Sequence, residues 1–465
     1  MLVIISDLHL TDGTTGKTIA ADAFERFRSN VQELAYFASF RQGTGKYQPI
    51  DSLDIVLLGD VLDLIRSTKW SDENAGDPDY ARPWNDLEDD VELATLARKV
   101  NQITDAILVK NAEALSILHG LSNGNPITLP PATNDGVPDI ISAKQPVATR
   151  IHYLIGNHDW FLYIDAPEFE AIRQKVTAVI GLANPPGPYP HDPDDSDILS
   201  QLYADHKVFA RHGDIYDPFN YDKHAGRAAA TLGDAIVVDL LNRFPQAVRQ
   251  QLGTARANEP NLPGLFDGLA ELANVRPSLL VPVWIQGVLK QNNIPSAIGN
   301  EVKRIWNEIA DEALESPFIR EKDTWMPFDT VDLLEMTLRF SRVLSFHSIS
   351  ELVSLIQEKV WGGDSSFAKF ALKERAFEEQ TAQYFIYGHT HHYEVVPLYV
   401  PMIDDKPFKQ MYFNSGTWHP LHEITRHKPQ DQSFIQYKVM TVLTFYKGDE
   451  RKGRHYETWT GTLDD

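Results

Sequence analysis

Seven short runs of mainly apolar residues recur at wide intervals along this 465-residue chain, and five of them end directly in a cluster of Asp, Asn, His and Gly. Runs of this length and composition are typical of buried β-strands. They cover residues 2–6, 54–58, 150–155, 207–211, 384–387, 410–413 and 439–446. Asp, Asn, His and Gly form strands poorly but include good ligands. The sequence therefore predicts an α/β fold whose chemistry lies on loops beyond the strand ends, where open α/β sheets bind ligands.

The five polar clusters have a fixed order. They read DLH at residues 7–9, GDVLD at 59–63, GNHD at 156–159, HGD at 212–214 and GHTH at 388–391. On an extended segment, residues i and i+2 point to one side, so Asp7 and His9 can aim at a common point. The same holds for His389 and His391. Each cluster alone is typical of a turn, but their occurrence in one order, each after a predicted strand, favours one shared site.

Three further details of the clusters lead to predictions. A helix beginning after Asp60 would place Asp63 near it on the same face. Glycine precedes three of the clusters, which predicts a sharp turn or a close approach of the backbone there. The remaining histidines are expected at the surface or in the core. His392 and His419 are the most favoured exceptions, because they flank the clusters.

Composition limits the chemistry further. The absence of cysteine excludes disulfides, thiolate metal sites and cysteine nucleophiles, so any metal ion must bind to oxygen and nitrogen atoms. With 43 Lys and Arg against 65 Asp and Glu, the formal net charge is −22, which disfavours non-specific attraction to nucleic acid or anionic membranes. The longest apolar run, residues 279–289, is too short for a membrane span and is predicted to be core. No export signal is found, so a cytoplasmic location is expected.

The ordered clusters resemble the sequence pattern of the calcineurin-like metallophosphoesterase superfamily, which reads DxH, GDxxD, GNH[DE], H and GHxH. The resemblance covers residues 1–66, 147–221 and 381–465. It implies a four-layer α/β/β/α sandwich with the site at the carboxyl ends of the strands. It also implies a phosphoester hydrolase, either a phosphomonoesterase or a phosphodiesterase or pyrophosphatase, that uses a hydroxide bridging two metal ions.

The resemblance also assigns metal ligands. One divalent ion would be held by Asp7, His9, Asp60 and His391, and the second by Asp60, Asn157, His212 and His389. Mixed nitrogen and oxygen ligation suits Mn, Fe or Zn better than Mg or Ca. Two such cations, about 3.5 to 4 Å apart, can lower the pKa of a shared water and orient a phosphoryl group between them.

The resemblance assigns catalytic roles as well. His158 would protonate the departing oxygen, and Asp63 would hold the tautomer of this histidine. A water molecule is then the nucleophile. Asp159 and Asp214 are equally compatible with supporting a ligand histidine and with forming a turn. Arg66 can reach a phosphate, but an arginine at such a place is more often a surface residue.

Two long segments interrupt the predicted core. Residues 67–146 begin with the acidic stretch 72–92 and continue into a segment with helical spacing of its apolar residues. This pattern predicts a helical insertion whose acidic start is exposed to solvent. The apolar positions of that helix are Leu93, Leu96, Val100, Ile103 and Ile107. Residues 222–380 are interpreted as a helical cap or substrate domain. Their helical periodicity is carried by Val302, Ile305, Trp306 and Ile309 and by Ile349, Leu352, Val353 and Ile356.

Differences from the sequence patterns of known subgroups of the superfamily narrow the range of substrate classes. Phosphoprotein phosphatases of the superfamily carry Arg and Glu where this chain has Leu64 and Asp159, so a protein phosphatase is disfavoured. The clusters look more like the bacterial branch that contains UDP-2,3-diacylglucosamine pyrophosphatase, although that enzyme usually has Arg at the position of His158. A small phosphoester substrate is expected, and a long nucleic acid is not, because the chain shows no basic stripe.

Three alternatives stay open at this point. The chain can be a scaffold of the same fold that has lost catalysis, although such proteins usually lack metal ligands or the catalytic histidine, and all are present here. It can be a nuclease of the same superfamily. It can also act at a membrane surface, where the helical cap would receive a lipid-linked substrate. The sequence supports no prediction of the oligomeric state.

Overall fold

The computed structural model describes residues 1–256, 259–322, 366–425, 427–428 and 431–462. The strands in these residues are β1 (Leu2–Ile5), β2 (Ser52–Leu58), β3 (Thr128–Leu129), β4 (Gln145–Pro146), β5 (Ala148–Leu154), β6 (Val208–Ala210), β7 (Val275–Arg276), β8 (Tyr384–Tyr387), β9 (Tyr393–Tyr399), β10 (Met402–Ile403), β11 (Lys406–Pro407), β12 (Gln410–Ser415), β13 (Leu421–Ile424), β14 (Phe434–Tyr437), β15 (Val439–Phe445) and β16 (Tyr456–Thr462).

Helices fill much of the chain between these strands. The α-helices are α1 (Ala21–Ala38), α2 (Asp90–Lys110), α3 (Ala112–Ser122), α4 (Pro167–Ile180), α5 (Asp197–His206), α6 (Leu232–Ala235), α7 (Arg243–Ala255), α8 (Leu262–Ala270), α9 (Val281–Gln291), α10 (Ser296–Leu314), α11 (Pro317–Lys322), α12 (Ala368–Ala371) and α13 (Arg375–Glu378). A π-helix, Ile236–Leu241, lies between α6 and α7.

Two mixed sheets contain the strands that end in the polar clusters. The first has the order β16-β15-β1-β2-β5, with β1, β2 and β5 parallel. The second has the order β6-β8-β12-β9, with β6, β8 and β12 parallel. The protein is therefore of the α/β class, and within each sheet the parallel strands end at one edge.

The two sheets share one buried cluster. Leu2 and Ile4 of β1 belong to it together with Ile386 of β8. The alternate residues Val3 and Ile5 belong instead to a second cluster that includes side chains of α1, α2, α3 and α4. Because β1 is buried on both faces, its sequence is a continuous apolar run and does not alternate with polar residues.

The seven strands predicted from the sequence are all present, within two residues of the predicted limits. The helix predicted after Asp60 is wrong, because residues 61–66 contain bends and one isolated bridge and no helix. An isolated bridge joins Leu62 to Leu10, and the main-chain nitrogen of Leu10 donates to the oxygen of Val61. This pairing between the loops after β1 and β2 takes the place of helical hydrogen bonds.

The 67–146 segment contributes helices to the cluster behind the first sheet. The stretch 72–92 is mostly exposed, and α2 begins where the side chain of Asp89 accepts hydrogen bonds from the nitrogens of Val91 and Glu92. Four of the five predicted apolar positions of α2 are fully buried, namely Leu96, Val100, Ile103 and Ile107. The predicted domain limits stay a prediction.

The part of the 222–380 segment that is described has its own hydrophobic cluster. On α10, Val302, Ile305, Trp306 and Ile309 are all buried in it, as their spacing predicts. The 280–289 part of the predicted 279–289 run is also core, mainly as α9. The second periodic pattern, residues 349–356, lies outside the described residues. Within the described ranges, no helix combines the length and the apolar character needed to cross a membrane.

Candidate metal centre

Main-chain hydrogen bonds draw the polar loops together at the ends of the parallel strands. The nitrogen of His9 donates to the oxygen of Asp60 over 2.8 Å. The nitrogen of His158 donates to Asp60 Oδ1 over 2.8 Å, and the nitrogen of His389 donates to the carboxylate of Asp7 over 3.1 Å. Loops that follow β1, β2, β5 and β8 are thus joined through one main-chain oxygen and two carboxylates.

Five of the seven predicted ligands have left-handed backbone conformations. The φ angles are 52° at Asp7, 43° at His9, 53° at Asp60, 65° at His389 and 64° at His391. The extended conformation predicted for residues 7–9 and 389–391 is therefore wrong. Such a conformation costs a non-glycine residue about 1–3 kcal/mol and persists where the surrounding structure enforces it, most often at functional sites. Here the hydrogen bonds between the loops enforce it.

The glycines before three clusters allow a close approach of backbone to ligand side chains, as the sequence predicts. A Cβ atom at Gly59 would collide with the ring of His212. One at Gly156 would collide with the carboxylate of Asp60, and one at Gly388 with that of Asp7. No larger residue fits at these positions without displacing a predicted ligand.

The first ligand group comprises Asp7, His9, Asp60 and His391. His9 Nε2 lies 2.9 Å from His391 Nε2, 3.6 Å from Asp60 Oδ2 and 3.8 Å from Asp7 Oδ1. His391 Nε2 lies 3.4 Å from Asp7 Oδ1. Four donors about 2.0–2.2 Å from one ion in tetrahedral geometry stand about 3.3–3.6 Å apart. The group, which is buried, therefore has the donor atoms and spacing that a single divalent ion requires.

The second group comprises Asp60, His212 and His389. Asp60 Oδ2 lies 3.2 Å from His212 Nε2, and this buried nitrogen has no hydrogen-bond partner among the described residues. The amide oxygen of Asn157 lies 3.0 Å from His389 Nδ1. An unpartnered buried nitrogen beside a carboxylate fits a metal ion. Asp60 belongs to both groups, so its carboxylate is placed to bridge two ions.

Hydrogen bonds behind the rings of three histidines select the nitrogen that faces the centre. His212 Nδ1 lies 3.0 Å from the oxygen of Leu58, and His9 Nδ1 lies 2.8 Å from Asp63 Oδ2. His389 Nε2 lies 3.0 Å from Asp217 Oδ2. A proton on each of these three nitrogens would leave the other nitrogen of its ring as a lone-pair donor to a metal ion. Metal-binding histidines are commonly held this way.

Electrostatics of the first group favour cation binding. Burial lowers the pKa of His9 to about 3, which keeps the imidazole in the neutral, metal-binding form. Burial raises the pKa of Asp7 to about 6, against the effect of His212. Burial also acts to raise the pKa of Asp60, but His212 and His158 hold it well below the usual range. A divalent cation would stabilise the ionised form of both carboxylates.

His158 lies beside the first group and outside both predicted ligand sets. Its Nδ1 atom is 2.7 Å from Asp63 Oδ1, and its ring packs edge-on against that of His9, with centroids 4.6 Å apart. Burial acts to lower the pKa of His158, but the charges of Asp63 and Asp60 raise it overall. The raised pKa extends the pH range in which His158 carries a proton.

Asp159 and Asp214 have structural partners. The carboxylate of Asp159 accepts hydrogen bonds from the nitrogens of Gly156 and Val61, over 2.6 and 2.8 Å, and from the hydroxyl of Tyr153. It therefore ties the loop after β5 to the loop after β2. Asp214 is buried and pairs with Arg227.

Three residues that flank the clusters differ in their placement. The interpretation of Arg66 as a surface residue is wrong, because it is 5 % exposed and its Nε atom lies 3.2 Å from Asp63 Oδ2. His419 is buried, and its Nε2 atom lies 2.9 Å from the oxygen of His9. His392 is exposed and pairs with Glu423. Neither histidine belongs to a ligand group.

Sequence reasoning missed two residues at the centre. Asp217, the partner of His389, stands five residues after His212, just beyond the 212–214 cluster, and this short distance could have indicated it. Arg276 comes from β7 in the helical segment, and its Nη2 atom lies 2.8 Å from His391 Nδ1. No sequence motif surrounds Arg276, so only the tertiary fold identifies it.

A cavity of about 470 Å³ is lined in part by the segment that follows the His212 cluster. Its walls include Tyr216, which precedes Asp217, as well as Tyr221, Lys223, Lys322 and Phe370. None of the predicted metal ligands lines it.

No protein-family model matches the chain, and a search of curated proteins finds no significant similarity. The geometry of the centre therefore carries the functional argument.

Proposed function

We propose that this chain is a dimetal-dependent hydrolase of phosphoester bonds that belongs to the calcineurin-like metallophosphoesterase superfamily. The observation that carries the proposal is the pairing of two ligand groups through the single carboxylate of Asp60. The fold supports it as well. Two sheets share one buried cluster, and helices pack behind the first sheet, as a four-layer α/β/β/α sandwich with two helical insertions would require.

The proposed cofactor is a pair of divalent ions, with Mn, Fe or Zn favoured. Asp7, His9, Asp60 and His391 would hold one ion, and Asp60, Asn157, His212 and His389 the other. Imidazole nitrogen combined with carboxylate and amide oxygen suits these metals better than Mg or Ca, which prefer oxygen alone. When bound, such ions act as Lewis acids on a phosphoryl group and lower the pKa of a water molecule.

The residues of the chain supply orientation and a proton. Asp63 holds His158 through Nδ1 over 2.7 Å, so the Nε2 atom of His158 is the one that can donate to a leaving-group oxygen. Asp63 also holds His9 over 2.8 Å. One carboxylate thus orients both the proposed proton donor and a proposed metal ligand.

A small phosphoester is the proposed substrate class. The net charge of −22 repels a long polyanion, whereas two divalent ions beside Asp7 and Asp60 would make the centre itself positive. The cavity of about 470 Å³ lined in part by residues 215–224 has the volume of a small-molecule site.

A screen of the metal-reconstituted protein against phosphomonoesters, phosphodiesters and nucleoside diphosphate esters tests this function. Mn, Fe and Zn are each added to metal-depleted protein, and released phosphate or alcohol is measured. Turnover of at least one class, lost with a chelator and with Asp60→Asn, is the expected result. Bound metal without turnover of any ester would instead support the scaffold alternative. DNA and RNA are added as a fourth class, and turnover restricted to them would support the nuclease.

A further inference from the structure

Arg276 occupies an unusual position at the proposed centre. The rings of His9, His212 and His389 each have an oxygen atom behind them. The ring of His391 instead faces the guanidinium of Arg276, whose Nη2 atom lies 2.8 Å from Nδ1 and 3.3 Å from Nε2. A guanidinium only donates hydrogen bonds, so His391 is the one ligand histidine among the described residues that faces a donor.

This contact is incompatible with a metal ion on His391. A neutral imidazole has one N–H group and one acceptor nitrogen. If Nδ1 accepts from Arg276, the proton lies on Nε2, which faces His9 and Asp7 in the first ligand group. If Nε2 binds a metal ion, the proton lies on Nδ1, and Arg276 loses its acceptor. The two states exclude each other.

The rest of the guanidinium is held in place. Nη1 donates to the oxygens of Ala273 and Val275, over 2.8 and 3.0 Å. The same oxygen of Ala273 accepts from Arg66 Nη2 over 2.8 Å, so two guanidinium groups meet there. Arg66 has Asp63 as its carboxylate partner. Within the described part of the chain, Arg276 has no carboxylate within 4 Å.

We propose that Arg276 binds an oxygen of the substrate's phosphoryl group once a metal ion occupies His391. The inference rests on the proposed function. Metal binding frees Nη2 beside the first ligand group, while Nη1 stays fixed on the carbonyls. A partly buried cation with a free donor takes an anionic acceptor, and a tetrahedral oxyanion between the metal ions supplies one. The helical segment thereby contributes a substrate-binding residue to the centre.

The test measures binding of inorganic phosphate to the metal-loaded protein by titration calorimetry, for the wild type, Arg276→Ala and Arg276→Lys. Loss of a hydrogen bond to a charged group predicts a Kd about 10- to 100-fold higher for the alanine variant. Lysine keeps the charge but not the planar fork, so its Kd should lie between the other two. The metal content of both variants, measured by mass spectrometry, should equal that of the wild type, and the affinity for the metal should be unchanged or higher. Arg243→Ala is the matched control, because Arg243 pairs with Glu312 in the same helical segment.

Each outcome bears on a different claim. An unchanged phosphate Kd in Arg276→Ala, with full metal content, would overturn the role of Arg276 and leave the proposed function intact. Loss of metal from this variant would also overturn it, because Arg276 would then support the ligands. A wild-type protein that binds no metal would instead refute the proposed function.

Discussion

Replacing His158 by alanine tests the proposed division of labour at the centre. The His158 ring belongs to neither predicted metal set and is held over 2.7 Å by Asp63. Its removal should therefore leave two ions bound and take away the proton donor. General acid catalysis contributes about 100- to 10,000-fold to rate. We expect a loss of that size in kcat for an alkyl ester, whose leaving group needs the proton, and little loss for p-nitrophenyl phosphate, whose leaving group does not.

A companion variant, Asp63→Asn, separates the two functions of Asp63. This side chain lies 2.7 Å from His158 Nδ1 and 2.8 Å from His9 Nδ1. An amide offers one acceptor atom where the carboxylate offers two, so one histidine loses its partner. A hydrogen bond to a charged group is worth about 1.5–3 kcal/mol, or about 10- to 100-fold in rate. Unlike His158→Ala, this variant should also bind metal more weakly, because His9 is affected.

The assay is steady-state kinetics on a series of aryl and alkyl phosphates, with metal content measured on the same samples. His455→Ala is a suitable control, because His455 is exposed and far from the clusters in sequence. If His158→Ala loses metal, or if its rate falls equally for good and poor leaving groups, the assignment of His158 as proton donor is wrong.

Three further predictions concern metal binding and stability. Asp60→Asn should reduce the metal content from two ions to none, because both ligand groups include Asp60; a variant that retains both ions by mass spectrometry would contradict the bridge. Gly156→Ala should also lose metal, because its Cβ atom would collide with Asp60, whereas Gly253→Ala, where nothing lies within 4 Å, should not. Burial raises the pKa of Asp234 to about 6, so its protonated form stabilises the fold below about pH 4, and this contribution is lost as the pH rises through about 6. In Asp234→Asn the free energy of unfolding should lack that decline, which amounts to about 3 kcal/mol. Urea unfolding at pH 4 and pH 7 measures it, and an equal decline in the variant and the wild type would refute the assignment.

The sequence predicted those parts of the centre that depend on local order. Strand runs and polar clusters are adjacent in the chain, so the positions of Asp7, Asp60 and His212 after β1, β2 and β6 could be inferred from patterns of a few residues. The close approach of the backbone to a ligand side chain at Gly156 followed from the same reasoning. Conformation inside the loops was not predictable in this way, since the left-handed backbone of His9 is imposed by hydrogen bonds to a loop fifty residues away.

Contacts between distant segments could not be predicted at all. Arg66 looked like a surface residue because its neighbours in the chain do not reveal that residues 273–276 cover it. Arg276 reaches His391 across more than a hundred residues of sequence. Such contacts depend on how the helical segment packs on the core, which no local pattern encodes.

The central position of β1 has a consequence for how the protein is made. Leu2 pairs with Asp54 on one side and with Phe445 on the other, so β1 has both of its neighbours only after β15 has been synthesised. Each ligand group likewise combines a carboxylate from the first sixty residues with a histidine near residue 390. In a nascent chain both proposed metal sites therefore stay incomplete until the loop after β8 has been synthesised. A product truncated before β8 would lack a histidine of each proposed site.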